Sequence, residues 1–173
     1  NSYDVVVIVG LSHRVPIRKA SAQPVDFYES PLGRIPVDKK AALALLEFSE
    51  EFSYTPEAHA TEHSVENQIP FLQETIPNLK ILPIVVNSES LEFLERVAED
   101  IVKVLGNRKA LLVASTDMSH FPPYEDANHI DKAALEILKT FDLPTIDKEL
   151  GKLEREPVRK LSCVFCGKGA LFT

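Results

Sequence analysis

Tryptophan is absent, methionine occurs once, and cysteine occurs only twice, at positions 163 and 166. Two cysteines are too few for the disulfide framework of a small secreted scaffold, so a reducing, cytoplasmic setting is expected. Long apolar runs are also missing. No segment reaches the roughly 18 uninterrupted apolar residues that a bilayer crossing needs, which excludes a membrane-spanning helix. Basic residues are in the minority, with 19 Lys and Arg against 26 Asp and Glu and a formal charge of −7. The longest basic clusters, Arg14 to Lys19 and Lys39-Lys40, are short. A nucleic-acid partner, which needs a concentrated basic face, is therefore disfavoured. There is no initiator Met, no signal segment and no repeat, and the chain closes on the apolar run Ala170-Leu171-Phe172 before Thr173. These features predict a piece trimmed at both ends. What is present, 45% hydrophobic and 26% charged residues in 173, is the mixture and size of one folded domain with one core.

The periodicity predicts an α/β chain. Val5 to Val9 is a β-branched run that reads as a buried strand entering a loop from Gly10 to Pro16. Val25 to Val37 is strand-and-turn material punctuated by Pro31, Gly33 and Pro36, and Asp38 offers an N-cap for a helix to about Glu51. A second helix is expected from about Glu62 to Thr75, kinked or shortened by Pro70. Leu79 to Val86 is a second strand. Ser88 or Ser90 then caps a strongly amphipathic helix that Gly106 ends. Ala110 to Ala114 reads as a third buried strand, followed by a helix from about Ala127 to Thr140. Buried strands alternating with amphipathic helices argue for a three-layer sandwich around a mostly parallel sheet.

In such sheets the ligand crevice lies beyond the carboxyl ends of the strands, and two histidines fall there. His13 follows the first strand in Gly-Leu-Ser-His-Arg, and His120 follows the third in Ser-Thr-Asp-Met-Ser-His, where Asp117 beside it would hold one tautomer of the ring through an Asp-to-His hydrogen bond. A third group, His59-Ala-Thr-Glu62-His63, has the spacing of an inverted zinc-protease motif, which makes a zinc hydrolase a minor alternative. That reading demands a continuous helix through His59, whereas Pro56 lies close before it and the helical pattern is clear only from Val65; the plainer role for Glu62 is to favour a helix N-terminus. Cys163 and Cys166 have a dithiol gap but neither a helix to open nor a second pair, leaving Cys166, beside Gly167, as a candidate single soft ligand.

Gly10-Leu-Ser-His-Arg14, Glu62-His-Ser-Val-Glu-Asn-Gln-Ile-Pro-Phe-Leu-Gln73, Ser115-Thr-Asp-Met-Ser-His120 and Cys166-Gly167 occur in an order and at separations that resemble the Memo-like family, also called AmmeMemoRadiSam system protein B. Pro31-Leu32-Gly33, Val37-Asp38 and Asp131 match it too, whereas Lys168-Gly169 differs from the usual Pro-containing sequence. The resemblance covers nearly the whole chain and implies a fold related to class III extradiol dioxygenases with a non-haem metal pocket, holding iron or copper. It maps His13 and Cys166 onto metal-ligand positions, with Asp117, His120 and His63 lining the cavity to handle protons or substrate. It also implies that a Pro-His-Ala-Gly-Tyr motif carrying another pocket histidine would precede Asn1, and that closing strands would follow the Cys-Gly turn. The expectation is thus a single Memo-like domain over residues 1–173 lacking terminal portions of the family fold. The alternative is a non-catalytic module binding a peptide, a small molecule or an anion in the same pocket, with Arg14, Arg34 and Lys168 as candidate anion partners.

Overall fold

The computed structural model describes residues 2–173, which pack as two compact units, residues 2–115 with 169–173 and residues 116–168. The first unit is built on a five-stranded sheet in the order β5-β2-β6-β1-β7. Its strands are β1 (Val5–Leu11), β2 (Ala20–Ala22), β5 (Phe52–Ser53), β6 (Ile81–Val86) and β7 (Ala110–Ala114). β1 runs parallel to both of its neighbours, β6 and β7; β2 is parallel to β5 and is the one strand antiparallel to its neighbour β6. A hairpin of β3 (Phe27–Ser30) and β4 (Gly33–Pro36) forms a separate two-stranded sheet, with Gly33 at φ +109 in a conformation comfortable only for glycine.

The alternation of side chains along β1 explains the three layers. Val6 and Ile8 join a buried cluster with Val65, Ile69, Ile76 and Val85 on one face, where the short helices α3 (His63–Glu66) and α4 (Ile69–Thr75) lie. Val7 and Val9 face the other way and line an apolar crevice with Ala98 and Ile101 of α5 (Leu91–Leu105) and with Ala170 and Leu171 of the terminal helix α8 (Lys168–Phe172). α1 (Lys39–Phe48) packs beside α5. Helices on both faces of a mostly parallel sheet make the three-layer α/β sandwich that the sequence pattern predicts.

Two expectations need correction. β7 is not buried: it ends the sheet, pairs with β1 alone, and leaves Leu112 61% exposed. Apolar β-branched composition reports a strand's tolerance for burial, while the number of neighbours decides whether burial occurs. The single helix expected from Glu62 to Thr75 is two helices, because Pro70 sits in the first turn of α4 and forces a new start after Asn67-Gln68.

α1 begins where Asp38 accepts a hydrogen bond from the Ala41 amide at 3.2 Å, and the same carboxylate pairs with the Arg108 guanidinium. The carboxylate is almost wholly buried. Asp38→Ala is expected to cost about 2 kcal/mol in urea unfolding through the lost cap, with the orphaned Arg108 adding to it. Asp38→Asn, which keeps the cap but not the charge pair, should cost less. Equal costs would assign the effect to the ion pair alone.

The second unit holds α6 (Tyr124–Leu138) and α7 (Leu143–Leu153), packed on one another and joined by a turn in which Phe141 takes φ +49 and is 93% exposed. α7 is capped by Asp142, which accepts from the Thr145 amide at 3.1 Å.

Candidate metal-binding groups

His13 leaves the carboxyl end of β1 on a loop anchored by main-chain bonding from Ser12 to Val86 at 2.9 Å, by Asn87 Nδ2 donating to the Ser12 carbonyl at 3.0 Å, and by Ser12 Oγ donating to the Val15 carbonyl at 2.7 Å. α3 is drawn against the same strand end. Ser64 Oγ donates to the Leu11 carbonyl at 2.9 Å, Ser115 Oγ to the Ser64 carbonyl at 2.6 Å, and Gln68 Nε2 to Ser115 Oγ at 3.0 Å. Gly10 permits this approach, since a Cβ there would fall on the Ser64 hydroxyl and 2.8 Å from the Ser64 Cβ.

Glu62, the residue before α3, is held between the loop and the helix. Its Oε2 accepts from the His13 amide at 2.6 Å, and its Oε1 accepts from His13 Nδ1 at 2.8 Å and from the Ser64 amide at 2.9 Å. Its side chain is 3% exposed. Burial alone would raise its pKa, but the hydrogen bonds from His13 and Ser64 outweigh burial and bring it down to about 2. The His63 ring stacks on the His13 ring with centroids 4.6 Å apart, and its Nδ1 lies 3.5 Å from Glu62 Oε1. The donor atoms of His13, Glu62 and His63 all lie within 4.8 Å of one another. His63 therefore stands beside His13. Glu62, which the sequence pattern reduces to a helix-start carboxylate, is the centre of the group.

His59 has no part in it. It lies in α2 (Glu57–Ala60), which ends before α3 begins, so the helix that a zinc-protease motif requires is broken at Thr61-Glu62. Both of its ring nitrogens are engaged, Nδ1 with the Tyr28 hydroxyl at 3.1 Å and Nε2 with Ser21 Oγ at 3.1 Å. Tyr28 in turn donates to Gln23 Oε1 at 2.5 Å, so its oxygen receives the Nδ1 proton of His59 and Ser21 donates to Nε2. Burial lowers the His59 pKa to about 4, against the opposing pull of the Ser21 main chain and the Glu62 charge. The zinc-hydrolase alternative loses its first ligand to a buried structural network.

The second group forms within residues 116–168, where two segments run alongside each other. His120 N donates to the Cys163 carbonyl at 3.3 Å, Ser162 N to the His120 carbonyl at 3.2 Å, Cys166 N to the Asp117 carbonyl at 3.3 Å, and Gly167 N to Thr116 Oγ1 at 2.9 Å. Ser119 N is fixed by Asp131 of α6 at 3.0 Å. This pairing brings donor atoms of Asp117, His120 and Cys166 within 4.8 Å of one another. A carboxylate orienting the His120 ring is the expectation here, and the structure replaces it: Nδ1 donates to the Met118 carbonyl at 2.8 Å, whereas Asp117 Oδ2 stands 3.8 Å from Nε2. A carbonyl accepts but cannot donate, so the His120 tautomer is set and Nε2 carries the lone pair. The Phe121 ring meets His120 edge-on at 5.8 Å, from a backbone at φ +71 that a bulky residue rarely adopts.

Neither cysteine is in a disulfide, and the two are not equivalent. Burial pushes the Cys163 thiol up, and the charges of Cys166 and Glu154 act in the same direction. Cys166 is the sulfur in the metal-capable group. Of the basic residues considered for an anion, Lys168 pairs with Glu154 at 3.0 Å and Arg34 lies over the Phe27 ring at 4.2 Å.

The chain as a whole is similar to known proteins. The chain is 36% identical over 143 residues to a MEMO1 family protein of Saccharolobus solfataricus, 35% to one of Sulfurisphaera tokodaii and 34% to one of Saccharolobus islandicus. Each match covers 80% of this chain and 50% of the relative, so the chain spans about half the length of the relatives it matches. The family model described as Memo-like protein matches residues 1–171, the span that carries both histidine loops, the α3 segment and the Cys-Gly turn, and the chain accordingly belongs to the Memo-like family.

Proposed function

We propose that the chain is a metal-binding, non-haem dioxygenase-like protein, with iron or copper as its metal. The observation that carries the reading is the convergence of one thiol, one imidazole and one carboxylate, Cys166, His120 and Asp117, within 4.8 Å. Thiolate and imidazole suit copper and iron, and a carboxylate beside them suits the divalent state. The donor set fits such a metal, because His120 keeps the lone pair of Nε2 and the Cys166 sulfur stands in the same group. His13, bonded through Nδ1 to Glu62, has the arrangement of a ligand histidine backed by a carboxylate. When bound, iron or copper supplies Lewis acidity and one-electron chemistry. The chain itself orients the imidazoles through Met118 and Glu62, and the half-exposed His63 and exposed Asp117 exchange protons with solvent or substrate. A cytoplasmic setting is part of the proposal, supported by the two cysteines standing outside any disulfide and by the lack, among the described residues, of any helix long and apolar enough to cross a membrane.

Anaerobic titration with Fe(II) and with Cu(I), followed by metal analysis after gel filtration, tests this. Cys166→Ser is expected to lower affinity for the metal that binds by about 10-fold to 100-fold or more, a range that loss of mere supporting contacts already reaches. Cys163→Ser should leave metal affinity within a few-fold. Equal loss in the two variants would point to a dithiol site instead, and no stoichiometric binding of either metal would remove the reading.

A further inference from the structure

We infer that Glu62 is the positioning residue of His13, holding its ring as the Nδ1-protonated tautomer so that Nε2 is the nitrogen offered to a ligand. The part of this inference that concerns a metal rests on the function proposed above. The part that concerns the proton rests on geometry alone.

Three donors converge on the two oxygens of one carboxylate: the His13 amide on Oε2, and His13 Nδ1 and the Ser64 amide on Oε1. An ionised carboxylate only accepts, so Nδ1 must carry a proton to make its 2.8 Å contact. An imidazole with one proton on Nδ1 has its lone pair on Nε2. Free imidazole side chains in water sample both tautomers, and the protein removes that freedom by binding the ring and the main chain of the same residue with the same carboxylate. The grip leaves little room for rotation about the His13 side chain, and the stacked His63 ring restricts it from the flat side. Glu62 can do this because it is tied to a fixed support: it precedes α3, whose first turn is bonded to the ends of β1 and β7 through Ser64 and Ser115. The same side chain therefore links the β1 loop to α3 and fixes where the His13 proton sits.

Glutamine in place of Glu62 keeps the shape but offers one oxygen to three donors. Whichever way its amide turns, one donor faces another donor, and the ring is no longer obliged to protonate Nδ1. The test is the long-range ¹H–¹⁵N spectrum of the metal-free 173-residue chain at about pH 8, above the ordinary imidazole range. The wild-type chain is expected to show His13 with a protonated Nδ1 and an unprotonated Nε2. In Glu62→Gln the Nε2-protonated form should become a substantial population. A wild-type ring protonated on Nε2, or on both nitrogens, overturns the inference without recourse to any variant, as does an unchanged tautomer in a folded Glu62→Gln. The second measurement is anaerobic Fe(II) affinity, which Glu62→Gln should lower by about 10-fold to 100-fold, with Glu62→Asp recovering part of the loss. If the tautomer shifts as expected and the wild-type chain binds no Fe(II), the role of Glu62 stands and the metal reading falls. If the tautomer shifts and Fe(II) affinity does not, Nε2 of His13 is not the ligand and that part of the inference is lost.

Discussion

Replacing Gly10 with alanine is expected to lower the unfolding free energy by about 3 kcal/mol, the upper part of the usual range for forcing one extra carbon into a packed site. Gly10 lies inside β1, so space rather than backbone conformation is what it provides. The added Cβ would fall on the Ser64 hydroxyl and 2.8 Å from its Cβ, with Val65 Cγ2 at 3.3 Å. Ser64 cannot step aside cheaply. Its hydroxyl is bonded to the Leu11 carbonyl, its carbonyl to Ser115 and its amide to Glu62, so moving it breaks several bonds at once. Because Glu62 travels with α3, the variant should also loosen the His13 ring, which the tautomer spectrum would register as a mixed population. Pairing the change with Ser64→Gly removes the obstructing atoms, and the double variant should be more stable than the sum of the two single costs allows by about 1 kcal/mol or more. Additive costs, or a Gly10→Ala cost below about 1 kcal/mol, would show that α3 does not press on β1 at this point.

The contrast between Gly10 and its surroundings also shows which parts of the molecule are legible in the sequence. The Val5 to Val9 run, the Leu79 to Val86 run and the apolar stripe of α5 are strong local signals, and each element forms where the pattern places it, with boundaries shifted by two residues or so at β1 and β6. Asp38 acts as the expected cap because capping depends only on the next three residues. β2 and β5, three and two residues long, have no comparable signal, since Ala20-Ser21-Ala22 and Phe52-Ser53 are too short to show a period; β2 is a strand because the edge of β6 is there to pair with, and β5 because β2 is. The site divides in the same way. Histidines at strand ends can be found from position alone, as His13 after β1 and His120 after β7 show, whereas the stacking of His63 on His13 depends on where α3 packs. Glu62 is hidden because a carboxylate before a helix has a sufficient local explanation. Its real partner, His13, is 49 residues away, and only the approach of α3 to β1 brings them together. The one available hint was a glutamate flanked by His63 and followed by Ser64, small enough to let a helix start sit close to glycine. The Asp117 to His120 bond was expected from spacing, and the nearer Met118 carbonyl took its place because a main-chain acceptor two residues away is already in position.

Acidification from pH 6.5 to pH 4 is expected to remove about 3 kcal/mol of stability through His59 alone, the equivalent of moving one imidazole pKa from its ordinary value to about 4. His59 is neutral in the folded chain because the residue is buried, at 8% exposure, and its Nδ1 proton goes to Tyr28 while Nε2 accepts from Ser21. In the unfolded chain the same ring takes up a proton near pH 6.5. Between the two values the unfolded state binds more protons than the folded state, so stability falls as pH falls; below about pH 4 both states are protonated and this contribution no longer changes. Glu62 acts over a lower window. Its folded pKa of about 2 lies below the ordinary carboxylate value of 4.5, so the stability it lends is fully present above about pH 4.5 and is lost between there and pH 2. The two groups therefore predict a decline in two stages, histidine first and carboxylate second. Urea unfolding midpoints measured at half-unit steps from pH 7.5 to pH 3 should show the first stage in the wild-type chain. His59→Gln, which can still bond to Ser21 and Tyr28 but does not titrate, should flatten the curve between pH 6.5 and pH 4 while leaving the lower stage in place. A slope of undiminished size in that variant would take the first stage away from His59, and a flat wild-type curve would mean that the ring is not held neutral by the Tyr28 and Ser21 network.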